Sequence, residues 1–278
     1  MKTKNNFLII GRKSFIALSL LDYLHKKKVN AISVSFETFI KDYKLLIKKF
    51  NFIINCASNK NFIQNKYKIE NDYDLKIANK ISISQIKLIM LSTRKVYQSK
   101  FNIKENSFTN PKCNYSKNKL ITENILKKIL KNKLLILRIA NTIGLPKFNK
   151  RKLHKTFIDI FFDNVKSGHI YDCYGVYKDF IPVNKLSEII FKLVKKNAYG
   201  IFNVSTGKKI YINEIVKWLN YHNKLSTIVI PLAKKLNKDN FTLNNSKLIS
   251  KIKIKISISD LKNECIKISK NFFKRYEK

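Results

Sequence analysis

At 278 residues the chain can bury a sizeable core, as one large domain or as a main domain with a smaller one, and 45% hydrophobic and 12% aromatic content excludes a disordered chain. The formal net charge of +39 does not mark a dedicated nucleic-acid binder, because arginine supplies only five of the 57 basic residues (Arg12, Arg94, Arg138, Arg151 and Arg275) and the lysines are spread along the whole chain. The excess lysine comes with abundant Asn, Ile, Phe and Tyr while Gly, Pro, Ala and Arg are scarce, the residue set favoured by an AT-rich genome, so the lysines are expected to form a solvated surface.

The chain leads from Met1–Lys4 straight into an apolar run, Phe7–Ile10, that ends at Gly11. A helical pattern through Leu18, Leu20, Leu21 and Leu24 follows at once. Strand, tight turn and helix N-terminus form the layout that cradles a dinucleotide pyrophosphate. Small residues fall three apart at Gly11, Ser14 and Ala17, where the backbone must turn, pass near phosphates, and let helix meet strand. Gly11, Arg12, Lys13, Ser14, Phe15 and Ile16 are the candidate cofactor contacts here; the alternative is an ordinary buried βα unit.

Near-continuous apolar runs at Leu8–Ile10, Ala31–Val34, Phe52–Asn55, Leu88–Leu91 and Leu134–Arg138 read as strands of a parallel sheet covered on both faces. Helical patterns at Phe15–Lys26, Glu37–Lys49, Asp72–Ser82 and Ser116–Leu130 alternate with them. This rhythm predicts an α/β fold with a Rossmann-type, doubly wound parallel sheet. After Gly144 the rhythm breaks: helical stretches near Lys155–Val165, Leu186–Lys195 and Ile212–Tyr221 mix with short strands, punctuated by Pro146, Pro182 and Pro231. The expected division is a dinucleotide-binding domain over 1–145 and a smaller substrate-binding region over 146–278, with the chain free to cross back to the first.

Tyr115 and Lys119 stand one helical turn apart on one face, where an ammonium favours the tyrosinate and tunes the phenol for proton exchange with a hydroxyl or carbonyl. Tyr23/Lys27 and Tyr174/Lys178 share the spacing, but only Tyr115 follows a proline turn, Asn110–Pro111, between two strong apolar strands. Ser92 and Thr93 fall at the carboxyl end of the preceding strand, where open α/β sheets bind ligands; capping a turn is the other role open to them. Cys56, Cys113, Cys173 and Cys265 are far apart and form no CxxC pair, so no metal site or disulfide framework is expected, and reduced thiols fit a cytoplasmic protein. No apolar run is long enough to span a bilayer, and no signal-peptide pattern opens the chain.

In this order the segments resemble the extended short-chain dehydrogenase/reductase family of nucleotide-sugar epimerases, dehydratases and reductases. Phe7–Leu21 resembles its strand, glycine loop and helix, and Ile54–Ala57 its Asn-Ala-Ala segment after the fourth strand. Leu91–Tyr97 resembles its Ser-Thr-x-x-Val-Tyr strand, Tyr115–Lys119 its Tyr-x-x-x-Lys, and Leu137–Gly144 its Leu-Arg-x-x-x-x-Tyr-Gly. Lys178–Val183 is similar to its Arg-Asp-Phe-Ile-x-Val, and Gly200–Gly207 to its Gly-x-x-Asn-Val-Gly-x-Gly.

The resemblance implies that Thr93 polarises a substrate oxygen, Tyr115 is the acid/base, and Lys119 lowers the phenol's pKa and holds the nicotinamide ribose. It adds Ser35, Cys56 and Ala57 to the cofactor contacts. Ser14 and Ala17 stand where the family usually has glycine, and Val34-Ser35-Phe36 lacks the acid of NAD-preferring members, with Glu37 two places late. Arg12 and Lys13 can pair with a 2′-phosphate, which favours NADP(H), with NAD(H) the other choice. Arg94 and Lys95 replace the acidic pair of the 4,6-dehydratases and argue against dehydration. Asp179 and Arg138 are expected to brace the fold, and Cys113 to be a bystander or to line the pocket.

Three functions follow. The short substrate half favours a reductase of a nucleotide-diphosphate sugar bearing a 4-keto group. The same residues serve a 4-epimerase with tightly bound NAD. A catalytically silent binding protein on this fold is the third. Homodimerisation through two helices of the nucleotide domain is carried over from the family.

Overall fold

The computed structural model describes residues 5–145, 156–231 and 239–274; Pro146, the start of the helical stretch at Lys155, and the 145/146 division lie at or beyond the edge of these residues. The first part runs β1 (Phe7–Ile10), α1 (Phe15–Lys26), β2 (Ala31–Val34), α2 (Phe36–Lys49), β3 (Phe52–Asn55), α3 (Lys60–Gln64), α4 (Tyr73–Ile81), β4 (Lys87–Thr93), α5 (Asn114–Leu130) and β5 (Leu134–Ile139). The second runs β6 (Asn141–Ile143), α6 (Phe157–Lys166), β7 (His169–Asp172), β8 (Tyr177–Lys178), β9 (Phe180–Pro182), α7 (Val183–Lys195), β10 (Gly200–Val204), β11 (Ile210–Tyr211), α8 (Ile212–Leu219), β12 (Ile228–Pro231), α9 (Ser246–Ile252) and α10 (Ile258–Phe273).

The central sheet is parallel throughout, in the order β2-β1-β3-β4-β5-β10. Successive strand residues point to opposite faces, and here both faces are covered. Phe7, Ile9, Leu135 and Leu137 face α1, α7 and α9, whereas Leu8, Ile10, Leu134 and Ile136 face α2, α4 and α5. That double cover is why β1 and the centres of β3, β4 and β5 are apolar on both faces rather than at alternate positions, while the edge strand β2 is only partly buried.

The chain winds outward from β1 to β2, then returns past β1 to β3. The order therefore reverses between β1 and β3, which places a crevice at their carboxyl ends. The Ile54–Ala57 segment spans the end of the third strand of this chain and the turn after it, not the region after a fourth. The sixth strand, β10, comes from the second half and pairs with β5 from Gly200↔Leu135 to Val204↔Ile139. A second core joins α6, α8 and α10 through Phe161, Phe162, Ile215, Leu219, Leu261 and Ile268. Short pairs β6–β9, β7–β12 and β8–β11 frame it. Among the described residues no helix is long and apolar enough to cross a membrane.

Candidate active site

The β1–α1 turn sits at the sheet's reversal point. Gly11 takes a φ of +104°, and a Cβ built on it would lie 2.7 Å from the Ala57 amide nitrogen and 2.8 Å from the Cys56 carbonyl carbon. The turn after β1 thus touches the turn after β3 with no room for a side chain. Gly11 N and Arg12 N both donate to Val34 O, at 2.8 and 3.2 Å, and Ser14 N donates to Gly11 O at 2.8 Å. Ser14 is the residue before α1 and its hydroxyl makes no capping bond. Ala17 is fully buried against the sheet, which is the packing that a small residue permits. Arg12 and Lys13 are exposed, while Phe15 and Ile16 are half-buried in the first turn of α1. Ser35 caps α2: its Oγ accepts from Thr38 N at 3.1 Å and lies 3.0 Å from Thr38 Oγ1, so Thr38 engages its hydroxyl twice. Glu37, the second residue of α2, is exposed.

Tyr115 lies in the first turn of α5, with Lys119 one turn further along and buried. Cys113 precedes the helix; its Sγ lies 3.2 Å from Ser116 Oγ, which returns a hydrogen bond to Cys113 O at 3.0 Å. Lys119 Nζ donates to Asp74 Oδ2 at 2.8 Å, an ion pair whose side chains are 6% and 4% exposed. Asn55, the last residue of β3, donates to the other carboxylate oxygen, Asp74 Oδ1, at 2.8 Å. Asn55 is itself fixed by Ala57 N, which donates to Asn55 Oδ1 at 3.0 Å.

Two residues that sequence reasoning left out, Asn55 and Asp74, therefore hold the ammonium of one that it named. The signal was present: Asp74, Ile77, Ala78 and Ile81 share one buried stripe of α4, so Asp74 is a charge inside an apolar stripe.

Lys119 does lower the Tyr115 phenol, but other causes outweigh it. The Tyr115 phenol stands above its ordinary pKa: burial raises it most, Lys119 lowers it, and Asp74 and Cys113 raise it again. Burial opposes the Lys119 ammonium, but the charge and hydrogen bond of Asp74 favour it, and its pKa stands above the ordinary lysine value. Burial and Asp74 push the Cys56 thiol up to about 12, so it is neutral. The Cys113 thiol is lowered: burial opposes ionisation, but bonds from Ser116 and the nearby Lys95 prevail.

The two hydroxyls after β4 divide their roles. Ser92 Oγ donates to the buried Glu123 at 2.5 Å and is used up in the framework. Thr93 Oγ1 accepts from Lys95 N at 3.2 Å, capping the turn Arg94–Val96. A hydroxyl accepts and donates at once, so this cap leaves the Thr93 proton for another oxygen. Arg94 forms a bidentate pair with Asp239, and Lys178 Nζ donates to Asp239 O at 2.8 Å.

Arg138 and Asp179 brace the fold. Asp179 accepts from Thr206 N at 3.1 Å, Thr206 Oγ1 at 2.8 Å, Gly207 N at 3.2 Å and Leu243 N at 3.0 Å. It thereby ties the Lys178–Val183 segment to Gly200–Gly207. Among the described residues no cluster of His, Cys, Asp and Glu could hold a metal.

No protein-family model and no curated protein matches the chain. Solved structures do. The UDP-N-acetylglucosamine 4-epimerase of Methanobrevibacter ruminantium, in complex with UDP-N-acetylmuramic acid, superposes with a TM-score of 0.78 at 19% identity over 98% of this chain and 99% of that one. The dTDP-glucose 4,6-dehydratase of Bacillus anthracis, in complex with NAD, gives 0.76 at 14% identity over 98% and 97%. A dTDP-4-dehydrorhamnose reductase from Clostridium acetobutylicum gives 0.73 at 16% over 93% and 98%. The chain has the Rossmann-type fold of the extended short-chain dehydrogenases/reductases.

Proposed function

We propose that this protein is an enzyme of that family, reducing a carbonyl on a nucleotide-diphosphate sugar with NADP(H). The carrying observation is Tyr115 in the first turn of α5, one turn from a buried Lys119 whose ammonium is fixed on Asp74 Oδ2 at 2.8 Å, with burial raising the phenol above its ordinary pKa. A group held as an acid suits proton delivery to a ketone oxygen.

The residues present fit a dinucleotide. Gly11 leaves the floor between β1 and β3 free of side chains, and the first turn of α1 offers backbone donors and a positive dipole end to a pyrophosphate. Lys119 retains ammonium protons beyond the one given to Asp74, and these suit a ribose hydroxyl. No carboxylate ends β2, Ser35 is spent on α2, and Arg12 is exposed nearby, which supports a 2′-phosphate. When bound, the nicotinamide supplies the hydride.

The chain's own residues do the rest. Thr93 Oγ1 donates to the carbonyl oxygen and polarises it. Tyr115 Oη passes its proton to that oxygen as negative charge develops there. Arg94 and Lys95, at the positions after Thr93, offer no carboxylate to remove a second proton, which speaks against dehydration.

The test is NADPH consumption by the purified protein on a panel of nucleotide-linked 4-keto sugars, with turnover expected on at least one. Co-purified NAD and no NADPH consumption would select the 4-epimerase, which uses the same side chains. Absence of dinucleotide binding by calorimetry would leave a silent binding protein.

A further inference from the structure

We infer that Asp74 is a positioning residue that offsets the Lys119 ammonium beside Tyr115, so that the site donates protons to carbonyls and resists taking them from alcohols. This deepens the reductase reading and rests on it.

The geometry gives Asp74 no other task. Both carboxylate oxygens are engaged, one by Lys119 Nζ at 2.8 Å and the other by Asn55 Nδ2 at 2.8 Å. Asn55 is locked in turn by the Ala57 amide, so the carboxylate is aimed from behind by the end of β3.

The charged and titratable groups around the phenol can be named element by element. Lys119 and Cys113 come from α5 and its cap, and Asp74 from α4. Lys95, after β4, stands by Cys113. Cys56, after β3, is neutral. Asp72, at the start of α4, is occupied by Thr122 Oγ1 at 2.5 Å, Tyr67 Oη at 3.0 Å and Leu75 N at 3.0 Å. Among the described residues Lys119 is the cation that faces the phenol; Asp74 is paired with it at 2.8 Å, and Asp72 adds its charge without a direct bond. At the low effective dielectric of a buried site neither charge is screened away, so their cancellation reaches the phenol.

The chemical consequence is directional. In reduction, the hydride forms the new C–H bond, the carbonyl π pair moves to oxygen, and that oxygen takes the proton of Tyr115 Oη. The resulting tyrosinate regains its proton from solvent, promptly because Asp74 makes the anion unfavourable. Oxidation of an alcohol starts from the tyrosinate, the state that Asp74 depletes. The overall equilibrium is untouched; the resting protonation state is what changes.

The experiment is a spectrophotometric titration of the phenol, taken as the difference between each protein and its Tyr115→Phe counterpart. Asp74→Asn should lower the Tyr115 midpoint by about one pH unit or more, roughly tenfold more tyrosinate at a given pH. Lys119→Met should raise it. If Asp74→Asn fails to fold, the paired replacement Asp74→Leu/Lys119→Met decides, since apolar substitution of a whole buried pair preserves folds. Cancellation predicts that the paired variant titrates within about half a unit of wild type.

A midpoint unmoved by Asp74→Asn, or one that rises by about a unit or more in the paired variant, overturns the inference. In steady state, the pH above which ketone reduction falls should move down with the phenol in Asp74→Asn. A phenol that shifts in a protein that reduces no ketone would sink the reductase reading and leave the role of Asp74 standing.

Discussion

The guanidinium of Arg138 on β5 closes on the carboxylate of Glu123 on α5, with Nη2 2.6 Å from Oε2 and Nε 3.1 Å from each carboxylate oxygen. Ser92 donates to the same carboxylate from β4, and the guanidinium stacks over the Tyr97 ring at 4.6 Å. The side chains are 3% and 0% exposed, so neither charge has water to fall back on.

Arg138→Met should therefore cost on the order of 3–5 kcal/mol, because it strands the Glu123 charge in the interior. The paired replacement Arg138→Met/Glu123→Leu should recover most of that loss. Denaturant midpoints of the three proteins check both statements.

Tyr115→Phe should cut turnover by about two orders of magnitude or more while leaving dinucleotide affinity close to wild type. The phenol hydroxyl is the proton donor, whereas Lys119 and the β1–α1 turn carry the proposed cofactor contacts. Steady-state rates and calorimetry separate the two effects. Wild-type turnover in this variant would remove Tyr115 from the mechanism.

Gly11→Ala should destabilise the protein and weaken dinucleotide binding together. The added methyl meets backbone at 2.7 Å in a turn with φ of +104°, so neither the neighbour nor the conformation can yield cheaply. A loss of roughly 1–3 kcal/mol is expected in thermal or chemical unfolding. An unchanged midpoint would mean that the two turns do not touch.

Asp179 links stability to pH with an unusual sign. Burial raises its carboxyl to about 6, against an ordinary 3.8, despite the hydrogen bonds that oppose the shift. Between those values the native protein binds more protons than the unfolded chain, so this residue makes stability fall as pH rises from about 4 to about 6. Asp179→Asn should remove that component, whatever its absolute stability. Unfolding free energies of the two proteins, measured at several pH values in this window, test the difference in slope.

Local periodicity carried much of the first half. Phe15–Lys26, Ala31–Val34 and Phe52–Asn55 coincide with α1, β2 and β3, because a doubly covered sheet demands unbroken apolar strands. Where polar groups are buried, periodicity loses its meaning. The helix expected from Ser116 begins at Asn114, since Cys113 and Ser116 cap it in a way that composition does not advertise. Its inner face carries Ser116, Asn118, Lys119, Thr122 and Glu123, all buried, so its apolar stripe is faint.

Long-range pairing was equally hidden. The place of Gly200–Val204 in the main sheet depends on a partner more than sixty positions earlier. Tyr115, Lys119 and Thr93 stand out by type, spacing or place at a strand end, and Asp74 only as a charge within an apolar stripe, while the contacts that join Asp74 to Asn55 and Lys119 are set by the fold.

The final strand of the sheet has a consequence for dissection of the molecule. β10 satisfies the outer row of amides and carbonyls on β5, and Phe202 and Val204 seal the apolar layer beneath α7. A fragment cut after the first half would bare that ladder edge along with the greasy flank of Leu135 and Leu137, the kind of margin at which chains zip onto one another. The first half is thus finished by the segment that follows it, and expression of the first 145 residues alone should yield aggregate rather than a working fragment.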